Sequence, residues 1–383
     1  MKEKEILEIV LAQAGIALNG SAAWDMQVHD DRLYGKLSRD LGLVLGESYV
    51  DGAWDCPRLD QFFAKLLRTK GEEKILRHPA FWSTYMKQIG FTMANHLINF
   101  QRRKNAFKTK MHYDLGNNLF EAMLGQHMIY TCGYWRKAQD LDTAQIHKLT
   151  LSCDKLSLKP GMKVLDVGCG WGTFAKFAAE NYGVTVVGIT ISKPQYEYAV
   201  QHCQGLPIKI RLQDYRDLEV IQEKESYDRI VSLGMFEHVG HKNYTLYMNI
   251  LSQLLKSEGL FLLHSIGANA PEDSVNAWIN TYIFPQGELP TIAEIGKSIE
   301  NIFVMEDWHN FGSDYDKTLM AWYHNFHAHW ETLKPSYDER FYRMWKFYLL
   351  LCAGSFRARK NQLWQILLSK NGLPQGVHRL GRD

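Results

Sequence analysis

The stretch Lys163-Val-Leu-Asp-Val-Gly-Cys-Gly-Trp-Gly172 decides the fold of this 383-residue chain. Its first half is an apolar run interrupted only by Asp166, which predicts a strand covered on both faces. Its second half places glycines at positions 168, 170 and 172, where they allow a sharp turn and a close approach of the backbone to a ligand. A helix is predicted from Thr173 to Asn181, and the amides that open a helix are unpaired. This strand, turn and helix are the arrangement by which doubly wound α/β domains hold a nucleotide or a nucleoside.

The spacing of the glycines distinguishes two kinds of ligand. A dinucleotide fingerprint reads G-x-G-x-x-G and places an acidic residue about 20 positions further on. Here the spacing is G-x-G-x-G, and the second predicted strand, Val184–Ile189, is followed by Thr190 rather than by an acid. Both observations argue against NAD. Asp166 followed by G-x-G-x-G resembles class I S-adenosylmethionine methyltransferases, although the motif alone leaves plain turn chemistry open.

The bulk properties exclude several other classes. The length predicts two domains, or one domain with a large appendage. A formal net charge of +2 argues against a nucleic-acid binder that relies on global charge. The six cysteines form no C-x-x-C pair and no zinc spacing, which indicates reduced thiols. The sequence shows no signal peptide and no apolar run of membrane-spanning length. We therefore expect a cytoplasmic protein.

The second half of the chain alternates strands and helices, which predicts a seven-stranded α/β sheet of the methyltransferase type. In addition to the strand before the glycine turn, six strands are predicted, at 184–189, 208–212, 229–233, 260–264, 303–308 and 362–369. A helix over Tyr244–Lys256 is predicted to stop near Gly259, and an insertion over Gly267–Pro290 interrupts the alternation.

The N-terminal part of the chain has a different pattern. Residues 1–88 predict a small, mostly helical domain, residues 89–110 a helical basic linker, and residues 111–383 the catalytic domain. Within the linker, Gln101–Lys110 carries five positive charges and no acid. This pattern fits either a solvated linker helix or a contact with anionic lipid headgroups.

Polar side chains follow most of the predicted strands. Ligands of open α/β sheets lie beyond the carboxyl ends of the strands, so we assign these side chains to one site. Thr190 follows the second strand, and Gln195, one helical turn into the next helix, is a candidate for the ribose hydroxyls; its other reading is an exposed polar residue of that helix. Asp214 and Tyr215 are candidates for adenine, by hydrogen bonding and by stacking, and a turn role for Asp214 stays open.

A carboxylate and an imidazole at neighbouring strand ends, Glu237 and His264, suggest proton handling. Four further histidines at positions 309, 324, 327 and 329 have no supporting cysteine pair. Their spacing fits a polar helix face, so we predict no metal site.

These residues belong to longer stretches that resemble bacterial cyclopropane-fatty-acyl-phospholipid synthases and, more distantly, mycolic acid cyclopropane synthases. The resemblance covers nearly the whole chain. The matching stretches are residues 42–52, 112–117, 164–172, 213–217, 234–240, 305–312 and 356–359.

The resemblance implies a reaction and a site. S-adenosylmethionine gives its methyl group to the cis double bond of a phospholipid acyl chain, the resulting carbocation loses a proton to a bound bicarbonate, and the ring closes. The implied bicarbonate pocket consists of Cys132, Glu237, His264, Tyr315 and the backbone of Ile266. The implied cofactor residues are Tyr130, Thr131, Asp166, Gly168, Gly170, Gly172, Thr190, Gln195, Asp214 and Tyr215.

The resemblance also implies a homodimer that works on unsaturated phospholipids at the inner face of the cell membrane, with the N-terminal domain supporting the dimer and helping to engage the membrane. Three alternatives remain open at this stage. The protein could be a lipid methyltransferase that leaves a methyl or methylene branch, a small-molecule N- or O-methyltransferase, or a catalytically silent lipid-binding protein. Loss of the bicarbonate residues would favour the first, and an intact glycine turn argues against the last.

Overall fold

The computed structural model describes residues 2–37, 41–69, 115–271, 276–285 and 287–376. The chain divides into two compact units. The first consists of Met1–Phe100, Val275–Pro285 and Tyr315–Asn361, and the second consists of Gln101–Ser274, Gln286–Asp314 and Gln362–Asp383. The first unit thus includes two segments from the C-terminal half, whereas the sequence predicts one continuous N-terminal domain. The predicted helical linker over 89–110, with its basic stretch Gln101–Lys110, and residues 112–114 lie outside the described residues. The predicted domain roles stay predictions.

Helices and strands are numbered along the described residues. The N-terminal elements are α1 (Lys2–Gln13), β1 (Gln27–Val28), α2 (Leu41–Val50), β2 (Trp54–Asp55) and α3 (Leu59–Arg68). The central elements are α4 (Asn117–Leu124), α5 (Leu141–Lys155), β3 (Lys163–Val167), α6 (Thr173–Tyr182), β4 (Thr185–Thr190), α7 (Lys193–His202), β5 (Ile208–Leu212), β6 (Tyr227–Leu233), α8 (Tyr244–Leu254) and β7 (Leu255–Ala268). The C-terminal elements are α9 (Ala277–Tyr282), α10 (Ile292–Ile299), β8 (Val304–Asn310), α11 (Ser313–Ala328), α12 (Trp330–Leu333), α13 (Glu339–Arg357) and β9 (Asn361–Ser369).

The second unit is built on a seven-stranded sheet with the order β5-β4-β3-β6-β7-β9-β8. Strands β3 to β7 run parallel to their sequential or crossover neighbours, and β8 pairs antiparallel with β9. Strand β3 lies between β4 and β6, so the chain reverses its direction across the sheet at the glycine turn, where α/β proteins bind ligands. The predicted fold class is confirmed.

Alternate residues of the strands pack into separate apolar clusters, as a sheet covered on both faces requires. Leu165 of β3 joins a cluster with residues of α8 and α10, while Val164 joins another with residues of α5 and α6. Helix starts are fixed by side-chain caps: Asp140 accepts from the N–H of Thr143, and Ser192 accepts from that of Gln195. Burial on both faces and these caps together position the strand ends.

The prediction that Gly259 stops a helix is wrong. Helix α8 ends at Leu254, and the chain passes directly into the long strand β7. Leu255 is extended, fully buried and paired with Tyr227 across the sheet. The burial of Leu255 therefore ends the helix two residues before the predicted end at Lys256, and Gly259 lies inside the strand.

In the first unit, α13 packs against α3, and Arg357 supplies an ion-paired link. Its guanidinium donates to Asp60 of α3 at 2.6 Å and to both carboxylate oxygens of Asp316 of α11 at 2.8 Å. Asp60 is 2% exposed, and the two arginines at positions 58 and 357 hold its pKa below the usual range despite the burial. The matching stretch 356–359 therefore has a structural role within this unit.

Replacing Arg357 by Met should destabilise the protein by about 3 kcal/mol, because it leaves the buried carboxylate of Asp60 with a single, half-exposed partner in Arg58. Arg340→Met on the same helix is the matched control, since its partner Asp51 is exposed and such pairs contribute about 0–1 kcal/mol. Denaturant unfolding of the full chain measures both. Equal stabilities of the two variants would contradict the assigned role.

Candidate active site

One pocket of the second unit lies at the carboxyl ends of β3, β4 and β6, and about 1190 Å³ of empty space, part of it open to solvent, belongs to it. Nine of the ten predicted cofactor residues line it: Tyr130, Thr131, Asp166, Gly168, Gly170, Thr190, Gln195, Asp214 and Tyr215. Seven of them come from the ends of β3, β4 and β5 and the connections that follow, and two come from the segment before α5, so chain-distant residues meet at one place.

The three glycines of the turn have different surroundings. A Cβ built on Gly170 would meet no atom within 4 Å, so this residue opens onto the pocket. A Cβ on Gly168 would lie 2.9 Å from the Cβ of Met235, which also lines the pocket. A Cβ on Gly172 would lie 2.9 Å from the sulfur of Cys203 on the connection after α7. Gly172 is therefore required for packing and stands outside the pocket lining.

The polar side chains after β4 and β5 are already engaged. Thr190 donates from Oγ1 to Oε1 of Gln195 at 2.9 Å, which holds this amide at the pocket. Asp214 accepts from the guanidinium of Arg216 through both carboxylate oxygens, 2.8 and 2.5 Å away, and from its backbone N–H. The turn role that the sequence left open for Asp214 is thus real. Tyr215 is 4% exposed, and its hydroxyl has no partner among the described residues.

Lys148 is a pocket residue that the sequence analysis missed. It lies on α5, is 1% exposed, and donates to Oγ1 of Thr131 at 3.0 Å. Burial lowers the pKa of Lys148 to about 7 and raises that of Asp166 to about 7. One oxygen of Asp166 has no partner among the described residues. The missed signal is the polar stripe Gln145, Lys148, Ser152 and Lys155, whose spacing of three, four and three places it on one helix face.

A second group of predicted residues lies just beyond the end of β6 and inside β7, which continues to Ala268 rather than ending at His264 as predicted. Oε1 of Glu237 accepts from the backbone N–H of Ile266 at 2.7 Å. Oε2 of Glu237 and Nε2 of His264 are buried and find no partner in the part of the chain that the structure describes. Cys132 is fully buried, and its thiol donates to the carbonyl of Gly133. The structure therefore brings Glu237 and the backbone of Ile266 together and leaves two polar atoms available for a ligand.

Electrostatics differ between the two titratable members of this group. Burial raises the pKa of Glu237 to about 7. Burial, with Lys148 and Lys155 as smaller contributors, holds the pKa of His264 well below its ordinary value. The imidazole is therefore neutral, and the carboxyl is poised between its two forms near neutral pH.

Tyr315, the fifth residue of the predicted bicarbonate pocket, belongs to the first unit. It lies on α11, is 7% exposed, and its ring packs on Phe356 with centroids 4.5 Å apart.

Three of the four histidines outside the site have hydrogen-bonding neighbours of their own. His309 contacts the ammonium of Lys155 at 3.2 Å, His327 the hydroxyl of Tyr342 at 2.7 Å, and His329 the carbonyl of Asn325 at 2.8 Å. Within the described ranges, no three His, Cys, Asp or Glu side chains are grouped so that they could hold a metal ion. Over the same residues, we find no helix whose length and apolar content would let it cross a bilayer.

Comparisons with known proteins agree with this geometry. Residues 100–366 match the family model described as mycolic acid cyclopropane synthetase. The chain is 50% identical to the cyclopropane-fatty-acyl-phospholipid synthase of Escherichia coli (strain K12) over 369 residues, which cover 96% of this chain and 93% of that protein. Among solved structures it is similar to the mycolic acid cyclopropane synthase CmaA1 complexed with SAH and CTAB, with a TM-score of 0.64 and 32% identity over 68% of this chain and 97% of that one. The cyclopropane synthase MmaA2 from Mycobacterium tuberculosis gives a TM-score of 0.64 and 31% identity at the same coverage.

Proposed function

The chain belongs to the cyclopropane synthase family of S-adenosylmethionine-dependent methyltransferases, and from this premise we propose that it converts cis double bonds of phospholipid acyl chains into cyclopropane rings. The carbon that closes the ring comes from the methyl group of S-adenosylmethionine. The observation that carries the proposal is 50% identity over 96% of the chain, together with a pocket that contains nine of the ten residues expected to hold the cofactor.

The pocket fits S-adenosylmethionine on the chemistry of its lining. When bound, this cofactor supplies an electrophilic methyl group. Gly170 leaves room for the ligand beside the turn. The amide of Gln195 and the buried hydroxyl of Tyr215 offer polar contacts. An alkene is a weak nucleophile, so the work of these residues is to hold the methyl group close to the double bond and in line with it.

The group of Glu237, His264 and Ile266 fits a small, weakly basic anion such as bicarbonate, which when bound supplies a proton acceptor. A carboxylate beside an anion is unfavourable, but burial keeps Glu237 largely protonated below about pH 7. The protonated carboxyl can donate from Oε2, which has no partner among the described residues. Cys132 and Tyr315 stay part of this proposal on the strength of the resemblance.

The decisive experiment incubates the purified protein with S-adenosylmethionine and vesicles of a cis-unsaturated phospholipid, and then examines the acyl chains by proton NMR. We expect ring protons to replace olefinic ones. A methyl or methylene branch would keep the cofactor site but overturn the ring closure. Bound cofactor without any lipid product would move the search to other acceptors.

We further propose that the protein works as a homodimer at the inner face of the cell membrane, reached from the cytoplasm. The five positive charges of Gln101–Lys110 support the surface contact, because each basic residue near an anionic membrane is worth about 1 kcal/mol. The proposal concerns transient contact with the surface.

Neutralising Arg102, Arg103 and Lys104 to Gln should weaken binding to anionic vesicles at low salt by about 3 kcal/mol, roughly a hundredfold. The effect should shrink as salt screens the charges. A matched control neutralises three exposed lysines of the second unit at positions 159, 193 and 209. Vesicle sedimentation measures both variants. Equal binding by the two variants would assign the basic stretch to a solvated linker.

A further inference from the structure

A chain of buried polar side chains leads from helix α5 to His264. The hydroxyl of Ser152 donates to the carbonyl of Lys148 at 2.7 Å, as Ser residues on helices often do toward the preceding turn. Nε2 of Gln365, on β9, donates to Oγ of Ser152 at 3.0 Å and lies 3.4 Å from Nδ1 of His264. Ser152 and Gln365 are fully buried, and His264 is 1% exposed. None of these three residues lines the cofactor pocket.

The strand pattern places the two side chains on the same face of the sheet. Side chains alternate along a strand, so His264 shares a face with Leu260 and Leu262 on β7, and Gln365 shares one with Leu367 on β9. All three leucines belong to the apolar cluster that includes residues of α5. The polar chain therefore continues an apolar core toward the strand ends, and no water-exposed side chain is needed to complete it.

The hydrogen bonds fix the orientation of the Gln365 amide. In the structure, its two N–H groups donate to Oγ of Ser152 and to Nδ1 of His264. The hydroxyl of Ser152 donates to the carbonyl of Lys148, which makes three hydrogen bonds. With the amide reversed, its oxygen would accept from Ser152 and from a protonated Nδ1, which makes two. The observed orientation leaves one buried acceptor, Oε1 of Gln365, without a partner among the described residues. The amide therefore presents N–H, and Nδ1 of His264 must accept.

We propose that Gln365 and Ser152 are positioning residues that fix the tautomer of His264, with Nδ1 bare and Nε2 protonated. A neutral imidazole in this form is a donor at Nε2 and has no capacity there as a base. The buried Nε2–H is then the group that donates to the anion, and this second half of the inference rests on the proposed function. It follows that His264 does not take the proton released in the reaction. The imidazole holds the acceptor in place.

Nearby charges support the neutral form. Lys148 and Lys155 lie on the helix that faces His264, and both disfavour a positive imidazole. The ammonium of Lys155 is itself held by His309 at 3.2 Å and by Asp307 at 3.4 Å, so its charge is fixed in the interior. A cationic His264, with two protonated nitrogens, would also lose the contact with Gln365, because both groups would then be donors.

The test reads the tautomer directly from long-range proton–nitrogen correlations of protein labelled with nitrogen-15 histidine. The signals of His264 are identified by their loss in His264→Gln. We expect a protonated Nε2 and a bare Nδ1 in the unmodified protein without any lipid. A protonated Nδ1 would overturn the inference, and this readout requires no turnover.

Gln365→Glu should reverse the pattern, because a carboxylate accepts a hydrogen bond from a protonated Nδ1 and donates none. The turnover number should fall at least about tenfold, with the KM for S-adenosylmethionine unchanged, because one donor to the anion is lost while the pocket stays intact. Gln362→Glu, on the same strand but bonded to Asn310, is the matched control and should leave the histidine signals unchanged. Ser152→Ala is the milder variant should Gln365→Glu fail to fold; it removes the acceptor that holds Gln365, and a mixture of tautomers is expected.

Failure of this inference and failure of the proposed function give different results. The expected tautomer in a protein that forms no cyclopropane would overturn the proposed function and with it the role of Nε2 toward an anion. Cyclopropane formation by a protein with a protonated Nδ1 would overturn this inference alone. An unchanged turnover number in Gln365→Glu, despite a reversed tautomer, would overturn the role of Gln365 in positioning a catalytic donor.

Discussion

Gly170→Val should abolish binding of S-adenosylmethionine. The backbone at Gly170 has φ of +55°, and a Cβ there would point into open space within the pocket. A branched side chain would occupy the place of the ligand, and it would also strain a left-handed backbone at a cost of about 1–3 kcal/mol. Isothermal titration calorimetry with S-adenosylmethionine measures the affinity, and we expect a loss of at least about a hundredfold, because displaced ligand contacts and strain act together.

The control must separate strain from the loss of space. Gly161→Val provides it, because Gly161 has φ of +84°, also has no atom within 4 Å of a built Cβ, and is exposed before the start of β3. Both variants bear comparable backbone strain, but only one of them faces the pocket. Loss of affinity in both would mean that strain, transmitted through β3, is responsible. Normal affinity in Gly170→Val would refute the assignment of the turn.

Glu237→Gln should retain S-adenosylmethionine binding and lose most of the turnover. Glu237 does not line the cofactor pocket, and Gln can still accept from the N–H of Ile266 with its amide oxygen. What it loses is a carboxyl with a pKa of about 7 that can pass on the proton taken up by the anion, and groups that exchange protons contribute about 10²–10⁴ in rate. Single-turnover measurements on vesicles give the rate, and calorimetry gives the affinity. Unchanged turnover would remove Glu237 from the site.

A suitable control is Glu306→Gln, another partly buried carboxylate that accepts from Ser369 and from the backbone of Leu373. Neither of these partners belongs to the candidate site. The control variant should keep its turnover, which separates the loss of a particular proton-exchanging group from the general effect of removing a structural carboxylate.

Glu237→Gln should also change how the stability of the protein depends on pH. The pKa of Glu237 rises from its ordinary 4.5 to about 7 in the folded state, so between these values the folded state binds a proton that the unfolded state has released. Stability contributed by this group is therefore full below about pH 4.5, falls as pH rises to about 7, and stays low above it. The penalty at high pH is on the order of 3 kcal/mol.

Glu237→Gln removes this penalty, so the variant should gain stability relative to the parent protein as pH rises from 5 to 8. Denaturant unfolding at the two pH values measures the difference. A constant difference would show that Glu237 keeps its ordinary pKa. A residue that lowers stability at working pH is typical of a functional site, where perturbed pKa values serve the chemistry.

Most of the sheet could be predicted from the sequence because its signals are local. Apolar runs bounded by glycine turns and helix caps place β3, β4 and β5 within one or two residues of their observed ends. The errors lie where burial overrides a local signal. Leu255 joins the core and starts a strand where Gly259 suggested only the end of a helix, and helix α9 forms within the stretch that was predicted as an insertion.

The residues of the candidate site likewise include some that local sequence signals predict and one that they do not. Strand-end positions identify Thr190, Gln195 and Tyr215 because parallel strands end at one edge of a sheet. Lys148 could not be identified from its own neighbourhood, because a lysine on a helix is usually exposed, and only the packing of α5 against the sheet buries it.

The sequence by itself determined the fold, the glycine turn and the residue types of the candidate site, since each of these depends on short-range pattern and on motifs that stay contiguous. Only the tertiary structure decided which groups are paired and which are not. It engaged Asp214 with Arg216, left Oε2 of Glu237 without a partner among the described residues, and set Gln365 beside His264 from 101 positions away. Hydrogen-bond partners and pKa values depend on distances between chain-distant atoms and on the water that burial excludes, and a linear sequence contains neither.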